Sequence, residues 1–290
     1  MKHKSVAIIG AGWLGLPLAQ SLQDNGCDVL VTATSDAKVA TLKAQGLNAV
    51  CYQAKPDSDG CENQHNKRQV FAKNVVVICI PPRIRHGDTT YPEIIAQVVK
   101  DANATDSQVS QLILCSSTAV YNGLAGEVDE TSSLNMAAEK TAILARAEQQ
   151  VLTSLIPLPQ VIRLGGLIGA NRHPGRFFRE GRVIPNPESS INFIHQDDVI
   201  SIISYLIEHT DRLSANIVNV VAPAHPSRRT FYQYAHRVIG RDSPEFSEQV
   251  EKQGKVVQPN VLLNHGYEFK YDDVLSWLLQ TTTQKQKQES

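Results

Sequence analysis

The first twenty-odd residues constrain this chain more than any other stretch. Val6–Ile9 is a short β-prone run, and it ends in Gly10-Ala11-Gly12-Trp13-Leu14-Gly15. Leu14, Leu18 and Leu22 then recur at the i, i+4, i+8 spacing of one helical face. A G-x-G-x-x-G run between a strand and a helix demands a βαβ unit. Gly10 allows the tight turn, Gly12 lets backbone approach a pyrophosphate, and Gly15 lets the helix pack closely on the strand. The N–H groups and partial positive charge of the helix N-terminus then face the phosphates. Gly10, Gly12, Trp13, Leu14 and Gly15 are therefore expected to bind a nicotinamide dinucleotide. A glycine-rich turn without a ligand is the alternative, and the strand–helix context weighs against it.

The rest of the chain alternates in the same way. Asp28–Thr34 reads as a strand, Asp36–Gln45 as a helix and Ala49–Tyr52 as a strand. Residues 55–69 are polar and read as a loop. Val75–Ile80 is a continuous apolar run, as expected of a central parallel strand buried on both faces. A helix over Tyr91–Ala102, a strand over Gln111–Cys115, a helix over Ala137–Leu155 and a strand over Gln160–Leu164 follow. This order predicts an α/β Rossmann fold, a doubly wound parallel sheet with right-handed crossovers. After Gly165 the chain turns rich in glycine and proline up to Pro187, which suits loops that cap a site. Val199–Ile207, Thr230–Ile239 and Val274–Leu279 read as helices, Ile217–Val221 as a strand, and 281–290 as a polar tail. The expected division is an NAD(P)-binding Rossmann domain at 1–165 and a smaller substrate-side lobe at 166–290, interleaved with it.

Charge and cysteines exclude several classes. The net charge is −1, from 28 basic and 29 acidic residues, so no basic excess steers the chain to nucleic acid or to an anionic membrane. The five cysteines, Cys27, Cys51, Cys61, Cys79 and Cys115, include no C-x-x-C pair. Cys79 and Cys115 sit in apolar runs that read as buried strands. No disulfide framework and no metal site are expected, and a reducing cytoplasm fits. Lys2, His3 and Lys4 before Val6–Ala19 superficially resemble a signal peptide, but three glycines break the run and no cleavage site follows. No stretch approaches the ~18 apolar residues of a membrane span.

The end of the second strand bears on which dinucleotide is bound. A site for NAD usually carries Asp or Glu there, bonded to the ribose 2′-hydroxyl. That place falls near Ala33, in Thr32-Ala33-Thr34-Ser35-Asp36-Ala37-Lys38. A carboxylate would repel a 2′-phosphate, whereas Thr34, Ser35 and Lys38 could bind one. NADP is favoured, with NAD as the other option. Asp36 lies about three positions late and is assigned to capping the second helix.

Four stretches in order, IIGAGWLG at 8–15, LILCSSTAVY at 112–121, VIRLGGLIGANRHPGR at 161–176 and NFIHQDDV at 192–199, carry a resemblance over nearly the whole chain. The segment at 254–273 extends it. The sequence resembles an extended-type short-chain dehydrogenase/reductase, within the atypical, epimerase/dehydratase-like YeeZ-like branch. The resemblance places a substrate-assisting serine at Ser117, with Ser116 on the cofactor side and Thr118 on the substrate side. A hydroxyl that only bonds the strand end or the cofactor is an equal reading of Ser117. Tyr121 packs or lines the pocket. Ile80 and Pro81 fall beside the dinucleotide, and Gly166 and Leu167 resemble the segment beside the nicotinamide. Arg172, His173 and Arg176 resemble the substrate-side loop. His195 and Asp198 match positions that support that loop, with Asp198 read as a helix cap.

The sequence departs from this family in one informative place. Active members carry Tyr-x-x-x-Lys on the long helix, a step that puts phenol and ammonium on one face. The lysine lowers the phenol pKa, so that phenolate works as the acid/base. None of the eight tyrosines here has lysine four residues on. Aligned on Ala147-Glu148, the two places fall at Lys140 and Leu144. Lys140 could substitute, Tyr121 could supply a phenol, or the protein binds cofactor without catalysing reduction. The first two imply an oxidoreductase or epimerase-like enzyme acting on a small polar substrate, such as a nucleotide-sugar or another carbonyl or alcohol. The third implies a dinucleotide-binding regulator or sensor. The run at 9–19 is also similar to the start of UDP-sugar dehydrogenases, but those need a cysteine in the second half and every cysteine here precedes residue 116. A homodimer is the base-rate expectation for such enzymes.

Overall fold

The computed structural model describes residues 4–55, 64–179, 181–210, 213, 215–248 and 254–280. Apart from α3, the first elements follow the predicted alternation: β1 (Ser5–Ile9), α1 (Gly15–Asp24), β2 (Asp28–Ala33), α2 (Asp36–Ala44), β3 (Asn48–Cys51), α3 (Gln64–Phe71), β4 (Val75–Ile78), α4 (Tyr91–Ala102) and β5 (Gln111–Ser117). Then come β6 (Gly126–Val128), α5 (Glu139–Leu152), β7 (Leu158–Leu164), β8 (Gly166–Ile168), β9 (Phe193–His195), α6 (Gln196–Glu208), β10 (Ile217–Val220), α7 (Arg228–Val238), β11 (Lys255–Val257) and α8 (Asn260–Asn264). Residues 274–280 are helical as well.

Seven strands form one sheet in the order β10-β7-β5-β4-β1-β2-β3. The pairs β1·β2, β1·β4, β2·β3 and β4·β5 are all parallel. Helices cover both faces, so the inner strands carry no polar side: Val6, Ala7, Ile8, Val76, Val77 and Ile78 are fully buried. Strand order reverses between β1 and β4, and the crevice at such a switch point is where α/β sheets bind ligands.

The chain divides into two compact units. The first is Met1–Val120, Met136–Arg163 and Ile200–Val218, and the second is Tyr121–Asn135, Leu164–Val199 and Asn219–Ser290. Two three-residue strand pairs belong to the second unit, β6 with β11 and β8 with β9.

Three local expectations are corrected. The polar stretch read as a loop over 55–69 contains the start of α3, which buries only Val70 and Phe71 at its end; residues 56–63 lie outside the described residues. The helix expected over Ala137–Leu155 runs from Glu139 to Leu152. Strand β4 ends at Ile78 rather than Ile80, although Cys79 N still donates to Ile9 O at 2.8 Å. Among the described residues, no helix is long and apolar enough to cross a membrane, and no group of three or more His, Cys, Asp or Glu could hold a metal ion.

Candidate functional site

The glycine loop is fixed from the neighbouring strands. Gly10 has φ +106°, and a Cβ there would stand 3.2 Å from the Cys79 carbonyl. Thr32, buried in β2, holds the loop from the other side. Its Oγ1 accepts from Gly10 N at 3.3 Å and its carbonyl accepts from Ala11 N at 3.2 Å. Gly15 lies against the loop itself, since a Cβ there would be 2.1 Å from Gly10 O. Gly12 differs from both: a Cβ there would meet nothing within 4 Å. The backbone is therefore bare on the side where a ligand would approach. Helix α1 starts without an acidic residue in its first turn and without a side-chain cap. Its N-terminal N–H groups and dipole suit an anion.

A cavity of about 470 Å³ opens beside this loop, within the size range of cofactor pockets. Ile9 to Gly12 form one wall, Thr32 to Thr34 with Lys38 a second, and Cys79 to Pro81 a third. Gly10, Gly12, Thr34, Lys38, Ile80 and Pro81 thus line one cavity. Leu14 is buried and Trp13 half-buried in the turn behind. Ser35 has another duty. Its backbone is extended (φ −149°, ψ 149°) and its Oγ accepts from Lys38 N at 3.4 Å, so Ser35 caps α2 and Asp36 is the first helical residue. The assignment of the cap to Asp36 is corrected accordingly.

Several lining residues were not anticipated. Arg83 adds a second cation to the cavity. Its signal was present in the basic residues after Pro81-Pro82. Asp88 is the one carboxylate among the lining residues. It accepts from Thr90 N at 2.9 Å and Thr90 Oγ1 at 2.6 Å, and these bonds hold its pKa below the ordinary aspartate value. Tyr52 lines the cavity while its hydroxyl donates to Asp101 Oδ2 at 2.9 Å; burial and that carboxylate push its pKa up. Tyr91 lines it too, buried, with a hydroxyl that has no hydrogen-bond partner among the described residues.

None of the three predicted hydroxyls at the end of β5 is among the residues lining the cavity. Ser116 is buried and its Oγ donates to Glu148 Oε1 at 2.6 Å, so this side chain points at α5 and is absent from the cavity lining. Ser117 is half-buried, with its Oγ accepting from Ala119 N at 3.2 Å, and Thr118 is buried. Glu148 reaches Ser116 from α5, and Leu144, four residues earlier, lies on the same helical face. Leu144 is fully buried and Lys140 half-buried. Tyr121 is fully buried in the second unit and its hydroxyl donates to Asn219 Oδ1 at 2.9 Å. It packs, and it is not an exposed acid/base.

The remaining predicted residues lie in the second unit. Gly166 owes its identity to Phe193, whose ring carbons would stand 2.1 and 2.2 Å from a Cβ there. Leu167 is half-buried, and its carbonyl accepts from Arg172 Nε at 2.9 Å. Arg172 also lies 5.5 Å from the Phe177 ring centre. His173 Nδ1 accepts from Gly175 N at 3.2 Å and so caps a short helical turn that contains Arg176, which is exposed. Asp198 is not a cap. It sits within the first turn of α6, and its carboxylate accepts from Lys270 N at 2.7 Å and Tyr271 N at 3.2 Å. The capping acceptor is His195 Nδ1, which receives Asp197 N at 3.1 Å.

His195 gives this unit a titration. Its ring packs on Tyr271 and Trp277. Burial pushes its pKa down to about 4; Asp197 pulls it up and Lys270 pushes it down. Between about pH 6.5, the unfolded value, and about pH 4, the unfolded chain takes a proton that the folded chain refuses. Stability is complete above that window and falls on acidification by up to about 1.4 kcal/mol per pH unit. His225, also lowered by burial, acts in the same direction. Asp198, raised by burial, opposes both in the carboxylate range. Thermal unfolding followed from neutral pH to about pH 4.5 should show a shallower loss in His195→Asn, which retains a capping acceptor; an unchanged slope would assign the titration elsewhere.

Residues 5–118 match the family described as the NAD binding domain of 6-phosphogluconate dehydrogenase. The chain superposes on MoeE5, solved in complex with UDP-glucose and NAD, with a TM-score of 0.72 at 16% identity, covering 99% of this chain and 100% of that one. It superposes on the human epimerase family protein SDR39U1, solved with NADPH, with a TM-score of 0.70 at 18% identity, covering 96% and 99%. Fold, glycine loop and this family match together define a Rossmann protein with an NAD-binding domain. Protein YeeZ of Escherichia coli K12 is 32% identical over 274 residues, 94% of this chain and 98% of its own. This chain belongs to the YeeZ family.

Proposed function

We propose that the chain is an NADP-dependent oxidoreductase or epimerase-like enzyme acting in the cytoplasm on a small polar substrate, such as a nucleotide-sugar or another carbonyl or alcohol. The observation that carries this reading is the cavity beside Gly10 to Gly12, with Lys38 and Arg83 in its lining and no carboxylate from the end of β2. Two cations suit a 2′-phosphate, and Ala33 leaves no acid to repel it. Bound there, the nicotinamide would supply hydride transfer. The chain's own part is to hold and polarise. Ser117 and Thr118 would orient the substrate oxygen, and Lys140, on α5, would supply charge or a proton. Gly166 and Leu167 are proposed beside the nicotinamide, and Arg172, His173 and Arg176 toward a phosphate or carboxylate on the substrate. A homodimer is the proposed assembly.

A second reading, a dinucleotide-binding regulator, is favoured by Leu144 and Tyr121. The first is buried where the resemblance places lysine, and the second has its phenol buried. Turnover separates the two. Purified protein given NADPH or NADP with nucleotide-sugars, carbonyls and alcohols should change nicotinamide absorbance, and Ser117→Ala should slow this about 100-fold. Nucleotide binding with no turnover on any substrate selects the regulator. Lys38→Glu should weaken NADPH about tenfold or more while NADH changes little. Equal losses for both nucleotides would remove Lys38 from the 2′-phosphate.

A further inference from the structure

The cavity wall contains a feature that the cofactor reading does not use. Ile78 pairs with Leu114, so the next residues on the two strands, Cys79 and Cys115, are neighbours across β4 and β5. Adjacent strands run about 4.8 Å apart, inside the Cα separation that a disulfide spans. The two Sγ atoms are 3.7 Å apart, and both thiols are free. Cys79 is half-buried and lines the cavity, whereas Cys115 is buried behind it. The buried hydroxyl of Tyr91 has both among its ionisable neighbours.

We propose that Cys79 and Cys115 form a redox-active thiol pair in the cavity wall, closing to a disulfide when a hydroperoxide enters the cavity. Cys79 attacks, because it alone of the two opens to the cavity. The bond to Cys79 and burial hold the Cys115 thiol well above the usual range, so it does not start the reaction. The Cys79 thiolate attacks one peroxide oxygen and the O–O bond breaks, giving a sulfenic acid and an alcohol, or water from hydrogen peroxide. Cys115 then loses its proton and its sulfur attacks the Cys79 sulfur. The S–O bond breaks, and hydroxide leaves with that proton as water. Two thiols and one hydroperoxide thus become a disulfide, an alcohol and water, with two electrons passing from sulfur to oxygen. A nucleotide in the cavity would cover Cys79 and block the first step, a gate that rests on the proposed cofactor site.

The test uses the full-length protein. It is treated with hydrogen peroxide with and without NADPH, remaining thiols are alkylated, and peptides are mapped without reduction. A Cys79–Cys115 cross-linked peptide that dithiothreitol reverses is the expected product. Cys115→Ser should form no cross-link, whether or not its stability changes. NADPH at about 100 times its Kd should slow cross-linking about 100-fold. Both thiols remaining alkylatable, or Cys79 joined to Cys27, Cys51 or Cys61 instead, would overturn the pair. A separate NADPH titration distinguishes the two claims. Binding without a cross-link removes only the thiol pair, and a cross-link with neither binding nor protection removes only the cofactor site.

Discussion

Alanine at Gly12 should leave the fold intact and remove nucleotide binding, whereas alanine at Gly15 should damage the fold itself. The contrast follows from what each added methyl meets. At Gly15 it lies 2.1 Å from the Gly10 carbonyl oxygen, 3.1 Å from that carbonyl carbon and 3.2 Å from Ile8 Cγ2. Backbone cannot step aside as a flexible side chain can, so α1 must lift from β1 and loosen Leu18 and Leu22, both fully buried. Overpacking of this kind costs about 3 kcal/mol, the upper end for added core methyls. At Gly12 the methyl finds open space. Melting should stay within about 0.5 kcal/mol of the parent, as for a surface change. The same methyl, however, fills the approach to the helix N-terminus. Loss of close phosphate contact there should raise the NADPH dissociation constant about 100-fold. Thermal melts and nucleotide titrations of the two variants read both halves. A Gly12→Ala protein that binds NADPH normally would place the pyrophosphate elsewhere.

Arg163 and Glu148 should give the largest stability effect among polar residues. Arg163 in β7 donates to Glu148 in α5 at 2.7, 3.1 and 3.2 Å, and Ser116 adds its hydroxyl. Both charged side chains are almost wholly buried, at 4% and 2% exposure. Arg163→Met leaves a carboxylate buried without its cation, which costs about 3–5 kcal/mol. For a chain of this size that is a fall in Tm on the order of 10 °C. The double variant Arg163→Met with Glu148→Leu removes both charges, and most of the loss should return. Equal melting for the single and double variants would mean that the charge left behind is not the cause. The pair also ties α5 to β7, and the Ser116 hydroxyl ties the same carboxylate to β5.

The legible parts of the site were those set by local pattern. The strand, the three glycines and the periodic leucines fall within about twenty residues, and each glycine's role follows from backbone sterics. Ala33 and Lys38 were legible because the end of β2 lies at a fixed distance from that loop. What the sequence hid was decided by non-local contacts. Gly166 is a glycine because the Phe193 ring lies over it, a contact made across β8 and β9. Ser35 and Asp36 are both good caps, and only the extended backbone at Ser35 chooses between them. Asp198 looks like a cap until α6 is seen to begin at Gln196, with its carboxylate turned to the 270–271 backbone. Arg83 needed the chain after β4 to turn back over the cavity. Helix α3 is polar nearly throughout, so its periodicity was too weak to read.

The central claim is that the cavity on the glycine loop binds NADP in preference to NAD. The direct measurement is a fluorescence titration of the purified protein with NADPH and with NADH at one ionic strength. Saturable binding of both is predicted, with NADPH about tenfold tighter and its advantage shrinking as salt screens Lys38 and Arg83. Tighter binding of NADH, or no saturable signal with either nucleotide, would contradict it.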